Sequence, residues 1–291
     1  MIYELAPALF STARRLFARP AFDEAIVAAV FEGRQPGRLI VDDASHPTAA
    51  LLCRTYEFYL AGDAGTAPLR RFIAEAPVEA DAFDSFYGYV PFSADWVPVL
   101  LSDHAGRLVV IERRALRLRG SHLAAPSAPS GVAVRPLAGD LAARTDRALQ
   151  QAIGATWSGY EQFDAQGFGV CALIGGTVVS AAYAIAVGAG QASIDIETAE
   201  AYRGRGFATL VGAAFIDACR ARGLTPSWEA DAANTASLAL AAKLGFAPGV
   251  SYSQLSPTSG RPLDRSHRLW TLEEGTMDGP FTRAWRRHGE A

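Results

Sequence analysis

The 291-residue sequence predicts an α/β chain of the α+β kind, built as two halves in which strands and helices alternate. Three observations carry this reading. An alternating strand at 191–198 sets Ile194, Ile196 and Thr198 against Asp195 and Glu197, then runs through Arg203-Gly204-Arg205-Gly206 into an amphipathic helix. Residues 165–194 carry no charge, a length that would span a bilayer, yet Gly167, Gly169, Gly175, Gly176, Gly188 and Gly190 interrupt them at turn-like places. Gly175-Gly176 between runs of Val, Ile and Tyr is a hairpin signal, so a buried β-meander is predicted instead of a membrane helix. Finally, Ala124-Ala125-Pro126-Ser127-Ala128-Pro129-Ser130-Gly131 has small residues, two prolines and no apolar period, which marks a linker.

In the first half, helices are expected at 7–17 and 21–32, then a strand at 38–43 and a turn at Ala44-Ser45-His46-Pro47. A strand at 48–60, a helix at 67–76, a strand at 85–91, a helix at 93–101 and a strand at 107–118 complete it. In the second half a strand at Val132–Arg135 and a helix at Leu141–Gln151 lead to a loop or second helix with Trp157, Tyr160 and Phe163. Strands at 168–174 and 177–187 form the hairpin. The strand at 191–198 precedes a helix at 206–222 that stops at Gly223. A strand at 226–230, a helix at 234–244 and a strand near 247–255 follow, with a further strand at 268–272. The expected domains are therefore 1–125 and 131–272, with a polar, basic tail at 273–291.

The strand–turn–helix at 198–209 carries the chemistry. A Gly-rich turn ahead of a helix leaves several backbone N–H groups aimed at one point, and the helix dipole adds partial positive charge. Arg203 and Arg205 raise the potential further, so a diphosphate suits this place. A nicotinamide fingerprint would need a third glycine, where Ala208 and Thr209 stand. A nucleotide-triphosphate loop would need Gly-Lys-Ser/Thr, and Lys243 is the sole lysine of the chain.

Arg203-x-x-Gly206-x-Ala208 resembles the pyrophosphate loop of the GCN5-related N-acetyltransferases. Downstream, Asn234-x-x-Ser237 opens a helix that ends in Gly245-Phe246, at about the distance found in that family. The wording Ile196-Glu197-Thr198…Tyr202-Arg203-Gly204-Arg205-Gly206, with Trp228-Glu229-Ala230-Asp231, is similar to a bacterial subgroup related to zwittermicin A resistance acetyltransferases. The resemblance implies a mixed, mostly antiparallel sheet flanked by helices and acetyl-CoA as cofactor. It implies that Ile196, Glu197 and Thr198 pair through their main chain with the pantetheine arm. It also places the pyrophosphate on Arg203, Gly204, Arg205, Gly206, Phe207, Ala208 and Thr209. The element order of residues 1–125 echoes this fold without its motif. Ala61-Gly62-Asp63-Ala64-Gly65-Thr66 stands where a phosphate loop would fall, and Asp63 would repel a pyrophosphate. The first half is expected to be a degenerate copy, or an unrelated α+β domain, that holds no cofactor.

Transfer of an acetyl group to an amine needs a base, an aligned thioester and a departing thiolate. Glu197 is the candidate base. Alternatively Asp195 and Glu197 together bind a cationic amine while water carries the proton, and Glu229 and Asp231 are further candidates of this kind. Family members often carry a tyrosine seven residues after the Asn, as acid toward the thiolate. Here that position is Ala241, leaving Ser237 or water. Asn234 is suited both to bonding the pantetheine and to capping its helix. Trp157, Tyr160, Phe163 and Trp228 are candidates for the acceptor pocket or for plain core.

A small-molecule amine is the expected acceptor. A non-catalytic acyl-CoA-binding module and a protein or peptide acetyltransferase are the alternatives. The formal net charge of −3 argues against nucleic acid. The five histidines are scattered and the three cysteines lack ligand spacing, so no metal site is expected and free buried thiols in a reducing cytoplasm are. Glu4, Arg14 and Arg15 break any apolar run near the start, so no leader peptide is expected. Oligomeric state is not legible.

Overall fold

The computed structural model describes residues 1–18, 22–54, 57–75, 88–120, 126–142, 145, 147–258, 270–274 and 283–287. In chain order the elements begin with β1 (Ile2–Leu5), a 3-10 helix (Pro7–Phe17), α1 (Glu24–Phe31), β2 (Arg38–Val41), β3 (Ala49–Cys53) and β4 (Glu57–Gly62). Next come α2 (Ala67–Glu75), β5 (Gly88–Pro91), α3 (Trp96–Asp103), β6 (Leu108–Leu118), β7 (Val132–Pro136), α4 (Gly139–Ala142), α5 (Arg147–Trp157) and α6 (Tyr160–Gln166). The rest are β8 (Gly169–Ile174), β9 (Thr177–Gly188), β10 (Gln191–Thr198), a short 3-10 turn (Glu200–Tyr202), α7 (Phe207–Ala221), β11 (Thr225–Asp231), α8 (Thr235–Lys243), β12 (Phe246–Pro257), β13 (Trp270–Glu274) and β14 (Arg283–Arg287).

The chain divides into two compact units. The first holds Met1–Pro20, Gly37–Glu112 and Ser253–Ala291; the second holds Ala21–Pro36 and Arg113–Tyr252. This differs from the expected linear division near 125–131. Residues 21–36 and 113–120 fall in the second unit, and the end of β12 falls in the first.

In the first unit the strand order is β13-β14-β1-β2-β3-β4-β5, with Leu255 of β12 opposite Tyr89 of β5. Strands β1 to β4 pair antiparallel, whereas β4 and β5 run parallel from Glu57↔Gly88 to Leu60↔Pro91. Leu60, Leu69, Phe72 and Trp96 are buried in its core. The expected strand 48–60 is two strands, reversed at Arg54, whose N–H donates to the Glu57 carbonyl at 3.1 Å. No glycine or proline marks that turn, so period-2 patterning reads through it. Sequence reading also missed β1, and β14 lies in the stretch expected to be a tail; the two pair at Ile2↔Trp285. The expected helix over 7–17 is a 3-10 helix.

In the second unit the order is β6-β11-β10-β9-β8-β7. The uncharged stretch forms β8, β9 and the start of β10, an antiparallel meander, as predicted. Among the described residues no helix is long and apolar enough to cross a membrane. Trp157, Phe163, Tyr183 and Phe215 are fully buried between the sheet and helices α5, α6 and α7. Helix α1 seats on β9. A Cβ at Gly188 would lie 2.5 Å from the Ala29 nitrogen and 2.7 Å from the Ala25 carbonyl, so only glycine admits this approach. Gln35 Nε2 donates to the Ile185 carbonyl at 2.8 Å, and Glu32 Oε1 accepts from the Ala189 N–H at 2.9 Å.

Both units share one order: a meander, a helix, and a strand parallel to the meander's last. It reads β2-β3-β4, α2, β5 in the first and β8-β9-β10, α7, β11 in the second. Residues 21, 55–56, 76, 85–87, 124–125, 143–144, 146, 268–269, 275–282 and 288–291 of the expected elements lie outside the described residues.

Candidate functional site

The site begins where two strands part. Parallel pairing of β10 with β11 covers only Gln191↔Thr225 to Ser193↔Ser227. A bulge in the β9–β10 register follows between Ser193 and Ile194. Beyond it β10 stays with β9 as far as Thr198↔Ser180, while β11 stays with β6 as far as Asp231↔Arg113. The strands diverge and enclose a cavity of about 790 Å³. All of Ile194–Thr198 line one wall, both faces of the strand, because the opening runs along its edge. Trp228 and Glu229 line the other.

The loop between β10 and α7 closes one side. Gly204 and Gly206 take the left-handed conformation, with φ +72° and +83°, and a Cβ on either would meet nothing within 4 Å. Gly206 caps α7, and the first helical bond runs from the Leu210 N–H to the Gly206 carbonyl. The amides of Phe207, Ala208 and Thr209 precede that bond and have no acceptor within the helix. Arg203 Nε donates to the Thr198 carbonyl at 3.1 Å, tying loop to strand. Arg203, Gly204, Gly206, Phe207, Ala208 and Thr209 all line the cavity. Arg205 does not; its guanidinium lies over the Tyr202 ring at 5.4 Å. The corresponding loop of the first unit is filled differently. Asp63 Oδ1 accepts from the Gly65 N–H at 2.8 Å, so a carboxylate already occupies the turn. Open amides at a helix N-terminus, two left-handed glycines and a strand edge beside them fit a diphosphate carrying an extended arm.

The two strands contribute carboxylates with different surroundings. Asp195 accepts from the Tyr183 hydroxyl and from the Ile196 N–H, both at 2.8 Å. The Ile196 N–H is therefore engaged by its neighbour. Thr198 Oγ1 lies 2.8 Å from Ser180 Oγ. Glu197 is exposed at the wall. Glu229 is the perturbed group. Its Oε1 accepts from the Asp23 N–H at 3.2 Å, and its buried Oε2 has no hydrogen-bond partner among the described residues. Burial pushes its carboxyl well above the usual carboxylate range, and the Asp23 charge adds to this. The Asp23 amide, Arg117 and Arg113 oppose it without reversing the direction.

On α8, Asn234 Oδ1 accepts from the Ser237 N–H at 3.0 Å, the capping role its position predicts. The Ser237 hydroxyl accepts from Trp228 Nε1 at 3.0 Å and lines the cavity with Asn234. Ala241, where the resemblance led a tyrosine to be sought, is fully buried in the core and is not among the lining residues. Trp157 and Phe163 are core as well. The Trp157 indole donates to the Ala184 carbonyl at 2.8 Å, and the two rings meet edge to face at 5.9 Å. Of the expected acceptor-pocket aromatics only Trp228 lines the cavity. Asp231 is used in a turn, accepting from the Ala233 N–H at 2.8 Å. Cys53, Cys171 and Cys219 are buried, and burial pushes Cys171 up to about 11 and Cys219 up to about 12, so neither of those two is a nucleophile.

Sequence reading missed Asp23, Tyr202 and Lys243. Tyr202 and Lys243 line the cavity, and Asp23 reaches the site only because α1 seats on β9. Asp23 sits at φ +48°, which local sequence does not signal.

Comparison with known proteins agrees with this geometry. A family model described as GNAT acetyltransferase matches residues 14–255. The uncharacterized N-acetyltransferase YdfB of Bacillus subtilis (strain 168) is 28% identical over 255 residues, covering 87% of this chain and 97% of that protein. The crystal structure of a GCN5-related N-acetyltransferase-like protein from Streptococcus suis 89/1591 superposes with a TM-score of 0.70 at 25% identity, covering 86% of this chain and 98% of that one. A tandem GNAT protein from the clavulanic acid biosynthesis pathway shares the fold, with a TM-score of 0.55 at 14% identity over 91% of this chain and 99% of its own.

Proposed function

The chain belongs to the GNAT acetyltransferase family, whose members transfer acyl groups from acetyl-CoA, and we propose that this N-acetyltransferase acts on the amine of a small molecule. The observation that carries the proposal is the chemistry of one cavity. Open amides of the Gly204–Thr209 loop, with Arg203, line one part of it; the carboxylates of Asp195, Glu197 and Glu229 line another. The first set suits a pyrophosphate, and the second suits an ammonium group.

Arg203, Gly204, Gly206, Phe207, Ala208 and Thr209 hold the pyrophosphate through main-chain N–H groups, and Arg205 adds positive potential from outside the wall. The pantetheine arm lies along β10, using the main chain of Ile196, Glu197 and Thr198, with Asn234 across from it. The bound cofactor supplies an acetyl thioester. Glu197, exposed on the wall, draws in the cationic acceptor and is a candidate base for it. Ser237 receives the indole N–H, which leaves its own proton free to be offered toward a departing thiolate. The first unit lacks such a loop, and we read it as a cofactor-free copy, in keeping with the tandem arrangement named for one structural neighbour. The buried thiols Cys171 and Cys219 support a cytoplasmic setting.

Thiol release from acetyl-CoA, measured across a panel of amino sugars, aminopolyols, amino acids and lysine peptides, tests this. Turnover with one of the small amines is the expected result. Turnover with peptides alone, or coenzyme A binding without any turnover, refutes it.

A further inference from the structure

Asp23 precedes α1 and is far from the motifs in sequence, yet in the second unit its backbone N–H donates to Glu229 Oε1 at 3.2 Å. Asp23 is 4% exposed, and its φ of +48° holds amide and carboxylate in one small turn against β11. The Tyr252 hydroxyl stands 3.4 and 3.5 Å from its two carboxylate oxygens, and the Tyr252 ring stacks on Phe22 at 4.0 Å. Glu229 meanwhile lines the cavity with its second oxygen unpartnered. The Asp23 main chain is thus held against one carboxylate oxygen of Glu229, and Glu229 lines the cleft.

We propose that Asp23 and Glu229 act as a coupled pair of acids joined by the Asp23 N–H, in which Glu229 takes the proton of the acceptor amine and Asp23 is a positioning residue that sets when it can do so. The proposal rests on the N-acetyltransferase reading above and assigns the base to β11 in place of Glu197. The acceptor enters as an ammonium. One proton passes to Glu229, which leaves the nitrogen lone pair free to form the C–N bond as the C–S bond breaks. The second nitrogen proton ends on the departing sulfur, and the pair returns its own proton to solvent. No other reactant is required.

The groups around the pair fix its expected behaviour. Asp23 adds negative charge and burial disfavours a second one, so the pair retains a proton at a pH where an ordinary carboxyl has lost it. Arg113 and Arg117 on β6 pull the other way, and Tyr252 on β12 faces Asp23. Asp195 and Glu197 line the cavity from β10, and Asp231 ends β11. Such a group suits proton transfer near neutral pH better than an exposed carboxylate does.

The test uses the full chain, with its glutamates carbon-13 labelled at the side-chain carboxyl, and follows their NMR signals against pH. Glu229→Gln identifies the Glu229 signal. The signal is expected to titrate well above the usual value near 4.5. Asp23→Asn should move its midpoint down, since it removes the neighbouring charge while keeping the donating N–H, and Asn tolerates the left-handed conformation. Titration in the ordinary range, or a midpoint unmoved by Asp23→Asn, overturns the proposal, and neither result requires a known acceptor. With the panel amine that releases thiol fastest, Glu229→Gln should lower kcat ~10²–10⁴-fold. Unchanged kcat in that variant overturns the assignment of the base. Calorimetry with coenzyme A separates the two levels: loss of binding by the unmodified chain would refute the acetyltransferase reading itself, whereas normal binding with an ordinary Glu229 titration refutes only the pair.

Discussion

Gly206 allows charge to be separated from shape at the loop proposed to hold the pyrophosphate. A side chain there has room, since nothing lies within 4 Å of its Cβ, but the backbone sits at φ +83°. Asn and Asp are the non-glycine residues that best tolerate this conformation, and the strain is about 1–2 kcal/mol in either case. Gly206 is also the N-cap of α7, where both residues are favourable. Gly206→Asn and Gly206→Asp should therefore fold alike, the aspartate gaining slightly from the helix dipole. They differ in one negative charge placed beside the bound pyrophosphate. At ~4 Å and an effective dielectric constant of ~20 that repulsion is about 4 kcal/mol per charge pair. Arg203 and Arg205 and dissolved salt offset part of it, so coenzyme A affinity should fall ~10²–10³-fold in Gly206→Asp relative to Gly206→Asn. Calorimetric titration of both variants with coenzyme A, at two salt concentrations, measures this. The gap should narrow as salt rises. If the two variants bind within a few-fold of one another at low salt, the pyrophosphate is not on this loop.

Three further outcomes are expected. Gly188→Ala should destabilise the protein by about 1–3 kcal/mol in thermal or denaturant melts, because its Cβ would meet helix backbone at 2.5 Å; a neutral result would mean that α1 does not seat on β9. His104 is 1% exposed, and neither ring nitrogen has a hydrogen-bond partner among the described residues. Burial, helped by Arg107 and opposed by Asp103, pushes it from 6.5 down to about 4. The folded state thus binds its proton less readily than the unfolded one. The stability is present above pH ~6.5 and is lost as pH falls toward ~4, by about 3 kcal/mol in all. His104→Phe should flatten that acid limb in melts between pH 7 and 4, and an unchanged limb refutes the account. Ser237→Ala should slow thiol release and leave coenzyme A affinity nearly unchanged, while the Trp228 emission shifts as its indole loses an acceptor; unaltered turnover removes Ser237 from proton delivery.

The second unit's core and its loop were legible because they are local. Alternation over 191–198, the glycines at 204 and 206 and the Asn234 cap each act within a few residues, and β10, α7 and α8 form where those signals lie. The uncharged stretch likewise carries its own turns, and the echo of the same order in the first unit is written in its own elements. What stayed hidden depends on distant pairing. The reversal at Arg54 has no turn residue of its own. β1 takes its place between β14 and β2, both distant in the chain, and the first β6 residues and the last β12 residues belong to a different unit from the remainder of each strand.

The cavity follows the same division. The sequence alone determined the Gly-rich loop ahead of α7, because main-chain amides at a helix N-terminus need only glycine and a helix start. Tertiary structure decided which residues meet there. It ended the β10–β11 pairing at Ser193↔Ser227, which opened the wall. It placed Ala241 in the core and Ser237 on the cavity, since helix rotation is set by packing and not by spacing. It also brought Asp23 onto Glu229 across 206 positions of chain. Charge coupling and burial act through space, and nothing in the local sequence at either end records them.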